Sequence, residues 1–185
     1  VCIHHLSFND ADYKTKGNFI KWNPSIKTIE DQNALWDALI SDKIDVIATD
    51  HAPHTFNEKN QLYVDCPSGG PLVQHSLYIM YEHFLEKRIS LEKIVEKMCH
   101  NPAILFNIKK RGFIREGFFA DLVILRKNQS WVINKNNILY KCGWSPFEGK
   151  KINSMITHTF VSGNLAYENG VFNQNIMGKK IEFIS

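Results

Sequence analysis

The segment Ile44–His54 constrains the fold of this chain more than any other stretch of its sequence. It opens with a short apolar, β-branched run over 44–49, which is typical of a strand buried in a parallel sheet. The run ends at Asp50 and His51, and Pro53 then prevents an immediate helix because its ring constrains the backbone. One carboxylate and two imidazoles therefore leave the C-terminal end of a buried strand, where barrels of alternating strands and helices place their chemistry.

Spacing alone leaves two interpretations of these polar residues open. An ionisable Asp at a buried strand end is costly unless it is paired, hydrogen-bonded or bound to a metal, which favours a site around Asp50. The same pattern also fits an Asp that caps the next turn beside two loop histidines, because short His/Asp motifs recur without function.

Composition narrows the classes of function. The 185 residues carry a net charge of +3 and are 44% hydrophobic, a balance that favours neither nucleic-acid nor membrane binding. No apolar run approaches the length of a membrane helix, and no signal peptide is visible. The widely spaced cysteines predict reduced thiols in a cytoplasmic protein, with neither a zinc ribbon nor a disulfide framework. They are Cys2, Cys66, Cys99 and Cys142.

Four stretches of the sequence together resemble the dihydroorotase family of the amidohydrolase superfamily. Ala48–His54 is similar to the strand-eight signature of that family. Cys2–Leu6 looks like its Cys-Pro-His-His-Leu segment, with Ile3 in place of the usual Pro. Lys21–Lys27 resembles the Lys-x-Asn-Pro-Pro-Leu-Arg segment, and Gly112–Leu122 resembles a Gly-x-Ile…Gly-x-x-Ala-Asp-Leu segment that the wider superfamily shares.

This resemblance implies an α/β fold made of the C-terminal part of a TIM-type (β/α)8 barrel and part of a small β-sandwich domain. Residues 1–108 would supply the last strands and helices of the barrel, and residues 109–185 a β-rich segment of the composite domain. A complete barrel of this class needs about 250 residues. This chain has 185 and begins without Met inside an apolar run. We therefore expect it to be the C-terminal portion of a longer protein.

Local patterns predict the elements between these motifs. Val1–Leu6 is predicted to be the remnant of a strand, and Thr28 the N-cap of a helix whose apolar face packs inward. Asn169-Gly170 predicts a hairpin turn between the last two strands. The other predicted helices cover 71–87, 91–99 and 101–106, and the predicted strands cover 120–125, 131–133, 155–161 and 165–167.

The resemblance assigns roles to five residues. Asp50 would bind one metal and shuttle a proton between the attacking hydroxide and the leaving nitrogen. His54 would face the substrate carboxylate. Asn23 would hold the ring amide, because a side-chain amide both donates and accepts hydrogen bonds. Ser68 and Gly69 would contact the ring through their backbone, since the family more often has Phe at the position of Ser68.

Simpler interpretations of neighbouring residues stay open. Asn23 before a proline is also an ordinary turn residue, and Gly69-Gly70 also fits the closure of a turn. The pair His4 and His5 is expected only to pack and hydrogen-bond, and is left out of the site.

The implied reaction is the reversible interconversion of N-carbamoyl-L-aspartate and L-dihydroorotate in de novo pyrimidine biosynthesis. Zn²⁺ would polarise the ring carbonyl and acidify a bridging water, with two ions in a complete active site. The other ligands are a His-x-His, a bridging carboxylate or carboxylated Lys, and two further histidines, all expected upstream of Val1. The isolated chain is therefore expected to be inactive without the missing N-terminal portion. The resemblance also allows a homodimer.

Two other functions remain open. One is a cyclic amidohydrolase of the allantoinase or hydantoinase type, although His54 suits an anionic ring substituent that those substrates lack. The other is a catalytically inactive dihydroorotase-like protein that serves as a structural partner of aspartate transcarbamoylase. The presence of Asp50, His54 and Asn23 argues against a loss of catalytic residues. Only the upstream metal ligands would decide whether the protein is active.

Overall fold

The computed structural model describes residues 1–184 as a helix- and loop-rich first part followed by a four-stranded sheet. The α-helices are α1 (Ile3–Ser7), α2 (Tyr13–Lys16), α3 (Ile29–Ile40), α4 (Phe56–Lys59), α5 (Ser76–Leu85), α6 (Leu91–Val95) and α7 (Asn101–Leu105). Short 3-10 turns cover Asp10–Asp12, Gly17–Ile20 and Val73–His75, and a π-helical turn covers Glu96–His100. The strands are β1 (Leu122–Val132), β2 (Lys151–Val161), β3 (Asn164–Glu168) and β4 (Val171–Phe172).

The two predicted strands of the first part meet in one parallel bridge, between Cys2 and Ala48. The Ile3 N–H donates to the Ala48 carbonyl at 3.1 Å, and the Ala48 N–H donates to the Val1 carbonyl at 2.8 Å. Helix α1 begins at Ile3, so the prediction of a strand over 1–6 was wrong beyond Cys2. Within residues 1–184 the run over 44–48 pairs as a strand only at this bridge. On another side the Ile47 N–H donates to the carbonyl of Lys97, in the π-helical turn, at 3.0 Å.

Helix α3 begins as the sequence predicts. The Thr28 hydroxyl accepts from the Asp31 N–H at 3.4 Å, and the Asp31 carboxylate accepts from the Thr28 N–H at 3.2 Å, which confirms the N-cap. Trp36 and Leu39 are buried, and the Trp36 indole donates to the Leu6 carbonyl at 3.0 Å. The inward-packing face predicted for this helix, made of Ile29, Trp36, Leu39 and Ile40, was wrong at both ends, where Ile29 and Ile40 are exposed.

The sheet has the strand order β1-β2-β3-β4 with antiparallel pairing throughout. The turn Ser162-Gly163 joins β2 to β3, and Asn169-Gly170 joins β3 to β4. All four residues have positive φ, which is the type I′ geometry of two-residue hairpins. The predicted hairpin turn at Asn169-Gly170 is thus present and joins the last two strands, β3 and β4, while Ser162-Gly163 joins the two strands predicted over 155–161 and 165–167. In addition, β1 joins two predicted strands into one, and β2 begins four residues earlier than predicted.

Helix α5 attaches the sheet to the helical part of the chain. The buried Glu82 carboxylate accepts from the backbone N–H and the side-chain amide of Asn153, both at 2.7 Å. The Tyr78 hydroxyl accepts from the Ile156 N–H at 3.0 Å. The core is continuous across this contact, since Ile79 and Met80 of α5 and Ile152 of β2 belong to one apolar cluster. No helix within residues 1–184 is long and apolar enough to cross a membrane.

Candidate active site

Asp50 lies where the run over 44–48 ends, two residues beyond the bridge to Cys2. Its φ of 49° lies in the left-handed region, which Asp enters more readily than most residues with a side chain. The Asp50 side chain is exposed, and its charge acts on two neighbours. Burial, together with this charge, raises the pKa of the Cys2 thiol. Burial lowers the pKa of His5, and the Asp50 charge partly opposes that shift.

His5 connects this strand end to the loop that carries Asn23. Its Nε2 lies 3.0 Å from the carbonyl oxygen of Pro24, and a carbonyl only accepts, so Nε2 carries the proton. Asn23 is exposed beside this contact. His5 was left out of the sequence-based site, yet it holds the Asn23 loop near Asp50.

His4 is a packing residue. It is fully buried and stacks on the Trp22 indole with a ring separation of 4.3 Å. Burial lowers the pKa of His4 to about 3, so its imidazole is neutral at physiological pH.

His51 fixes the start of the segment that leads into α5. Its Nδ1 accepts from the backbone N–H groups of Leu72 and Val73, at 3.0 and 3.3 Å. Since Nδ1 is the acceptor, the proton of the neutral ring lies on Nε2. The N–H groups of Leu72 and Val73 thus bond to the His51 imidazole. The helix that was predicted to begin at Pro71 begins as an α-helix only at Ser76.

His54 is held from two sides. Its Nε2 donates to the Ser68 carbonyl at 3.1 Å, and its own carbonyl accepts from the Trp144 indole N–H at 2.7 Å. Because Nε2 is engaged by protein, Nδ1 is the ring nitrogen left for a ligand. A carboxylate at Nδ1 requires a proton there, so the imidazolium form would make that contact.

Gly69 lies directly against the strand end, in a place that requires glycine. Its φ is 118°, and a Cβ added there would lie 2.8 Å from the Ala52 Cβ and 2.9 Å from the Ala52 carbonyl oxygen. The next residue, Gly70, forms a parallel bridge with His51. The Gly69-Gly70 pair therefore lets the long loop approach the residues after Asp50 more closely than any side chain would permit.

The five predicted site residues thus fall into two connected groups. His54, Ser68 and Gly69 are in direct contact. Asn23 and Asp50 are connected through His5, because Asn23 precedes the Pro24 whose carbonyl the ring contacts and the Asp50 charge acts on the same ring. The Gly69 N–H also donates to the Lys21 carbonyl at 2.9 Å, so the Asn23 loop touches both groups.

The sequence profile of the amidohydrolase family matches residues 5–166. This chain belongs to the amidohydrolase family. The dihydroorotase of Clostridioides difficile is 33% identical over 89% of this chain and 38% of that protein. The dihydroorotase of Anoxybacillus flavithermus is 36% identical over 92% of this chain and 40% of that protein.

Among solved structures, the L-hydantoinase of Arthrobacter aurescens superposes with a TM-score of 0.83 at 28% identity, covering 92% of this chain and 39% of that one. The resemblance to dihydroorotases and the mixed α/β fold of this amidohydrolase are thereby confirmed. The chain spans about two-fifths of the length of the curated relatives it matches.

The side chains of this amidohydrolase chain that could ligate a metal fit only part of a metal site. Within residues 1–184, no three His, Cys, Asp or Glu side chains lie close enough together to hold a metal ion. Asp50 nevertheless presents an exposed carboxylate at the strand end. Protein zinc sites have three or four ligands, so the Asp50 carboxylate could be one ligand of such a site but does not complete it.

Trp144 is a site residue that sequence reasoning missed. It is buried in the segment between β1 and β2, lies against Gly70, and donates to a residue ninety positions earlier. No local pattern marks such a contact.

Trp144→Phe keeps the apolar ring and removes the N–H that holds the His54 carbonyl. We expect KM to rise about fivefold, since a neutral hydrogen bond contributes about 1 kcal/mol.

The measurement is steady-state kinetics of the full-length protein, with Trp131→Phe as the matched control. The Trp131 indole also donates to a carbonyl, that of Ser154 at 2.8 Å, but this bond lies within the sheet. An equal rise of KM in both variants would contradict a specific role for Trp144.

Proposed function

We propose that this chain is the C-terminal portion of a zinc-dependent dihydroorotase of de novo pyrimidine biosynthesis. Residues 1–108 would contribute the last strands and helices of a (β/α)8 barrel, and residues 109–185 part of a composite β-sandwich domain. The N-terminal portion of the same protein would supply the remaining ligands of two Zn²⁺ ions. The enzyme would act in the cytoplasm, and two copies could form a homodimer.

The observation that carries the proposal is the convergence on one strand end of a carboxylate, an imidazole and a glycine-lined backbone. Asp50 stands at that end, and His54, Ser68 and Gly69 follow within one contact network. The ring opening of a cyclic amide that carries a carboxylate requires three things: an acidic group for proton transfer, a side chain that binds the carboxylate, and exposed peptide groups that contact the ring. The names of the curated relatives support this substrate class.

The residues of this chain would divide the work. Bound zinc would polarise the ring carbonyl and acidify its water. Asp50 would take a proton from the attacking oxygen and return it to the leaving ring nitrogen. Protonated His54 would present Nδ1–H to the substrate carboxylate while Nε2–H stays on Ser68. Asn23 would hold the ring amide, and the Gly69 backbone would lie against the ring.

The test compares substrates in the full-length protein loaded with zinc. We expect ring opening of L-dihydroorotate, with kcat/KM at least about 10²-fold above that for hydantoin or allantoin, since these lack the carboxylate that His54 binds. A preference for hydantoin would favour the hydantoinase alternative, to which the structural similarity at 28% identity also points. No turnover of any of them with full zinc would favour the inactive-partner alternative.

The isolated 185-residue chain is expected to turn over nothing and to retain little zinc after dialysis. Asp50 would be its only metal ligand at this site, and one carboxylate does not hold zinc. Elemental analysis of the chain and of the full-length protein checks this. Stoichiometric zinc on the isolated chain would contradict the fragment interpretation.

A further inference from the structure

Two lysine ammonium groups lie inside the loop that carries Ser68 and Gly69. Lys59, at the end of α4, is 0% exposed, and its Nζ donates to the carbonyls of Pro67 at 2.9 Å and Lys21 at 3.3 Å. The Lys21 Nζ donates to the carbonyls of Tyr63 and Cys66, each at 2.5 Å. We call these two side chains the lysine clamp.

Lys59 differs from the other fully buried lysine of the chain. Lys97 is 1% exposed and is paired with the carboxylates of Asp42 and Glu96, at 2.8 and 3.6 Å. The oxygens around the Lys59 ammonium are backbone carbonyls. Burial of an ammonium group without a carboxylate is costly, so the Lys21 and Pro67 carbonyls must stay within hydrogen-bond distance of it. The buried charge therefore specifies the path of the loop around it.

Both contacts of Lys59 lie next to a proposed substrate contact. The Lys21 carbonyl that accepts from Lys59 also accepts from the Gly69 N–H. The Pro67 carbonyl, also bound by Lys59, immediately precedes Ser68, whose own carbonyl holds the His54 ring. A shift of the loop would therefore displace the glycine backbone and the imidazole together.

We propose that Lys21 and Lys59 are positioning residues that hold the loop over 60–70 in its substrate-binding shape and thereby set KM. The inference rests on the proposed function for its substrate. Neither ammonium needs to touch the substrate, because both act through the backbone carbonyls of the loop. The clamp is thus a determinant of binding, separate from the proton chemistry of Asp50.

The test uses Lys59→Met in the full-length, zinc-loaded protein, because Met keeps the apolar stem and removes the ammonium. We expect KM for L-dihydroorotate to rise about tenfold, as for the loss of a hydrogen bond to a charged group, while kcat stays within about threefold. Hydrogen exchange of the amides over 60–70 should accelerate in the same variant. The exchange measurement does not depend on any activity.

Lys97→Met is the matched control, since it removes an equally buried ammonium whose partners are the carboxylates of Asp42 and Glu96 and not carbonyls of the loop. It is expected to lower the melting temperature and to leave both KM and the exchange over 60–70 unchanged. An equal KM increase in both variants would mean that the effect reports general destabilisation, and would overturn the proposal. Unchanged exchange and KM in Lys59→Met would overturn it as well.

A second variant covers the case in which Lys59→Met does not fold. Lys21 is half-buried, so Lys21→Met should be tolerated, and it removes the ammonium contacts to Tyr63 and Cys66. Faster exchange over 60–70 with a raised KM supports the clamp, and parental values of both overturn it. If the parent protein turns over no dihydroorotate, the proposed function fails, and the exchange of the two variants alone decides the clamp.

Discussion

Asp50→Asn in the full-length protein is expected to lower kcat for dihydroorotate by about 10²-fold or more. Asn keeps the shape of the side chain but removes its charge and its basicity. The change therefore weakens metal binding and abolishes the proton transfer that Asp50 would perform. The position supports this role, since the carboxylate is exposed at the strand end.

Steady-state kinetics and elemental analysis together measure this effect. Asp45→Asn is the matched control, because Asp45 is an exposed Asp in the same run, five residues earlier. The control should keep parental kcat and zinc content. If Asp50→Asn retained near-normal turnover with full zinc, Asp50 would be only a loop cap.

His54→Ala in the full-length protein is expected to raise KM for dihydroorotate while zinc content stays unchanged. A hydrogen bond to a charged group contributes about 1.5–3 kcal/mol, which corresponds to roughly 10- to 150-fold in affinity. Removal of the ring leaves the substrate carboxylate without its partner. It also leaves the Ser68 carbonyl without the Nε2–H donor.

His54→Gln separates these two losses. The Gln amide can reach the position of Nε2 and donate to the Ser68 carbonyl, but it has no group at the position of Nδ1. We expect the KM increase to persist in this variant while hydrogen exchange over 60–70 stays close to that of the parent. Recovery of KM in His54→Gln would show that His54 acts only by holding the loop.

A second substrate isolates the carboxylate contact. Dihydrouracil has the same kind of ring without the carboxylate, so it should be a poor substrate for the parent and lose little more in His54→Ala. Equal losses on both substrates would mean that His54 acts on the ring or on the metal. The specificity argument for dihydroorotate would then fail.

Local chemistry made much of the structure predictable. Thr28 and Ser90 cap their helices because hydroxyls satisfy N–H groups three residues later. The predicted strands of the tail overlap β1, β2 and β3, although the prediction divided β1 and began β2 too late. The early start of α1 at Ile3 was not predictable, because the short run over 1–6 fits a strand as well as a helix.

The sequence by itself determined the family and the candidate residues Asp50, His54 and Asn23, because short motifs keep their residue types at constant spacing. Only the tertiary structure decided what holds them. The contact of Trp144 with the His54 carbonyl and the burial of Lys59 among loop carbonyls join segments far apart in the chain. Loops carry no periodicity that predicts such contacts, since backbone carbonyls are alike at every residue and only folding selects which of them meet a donor.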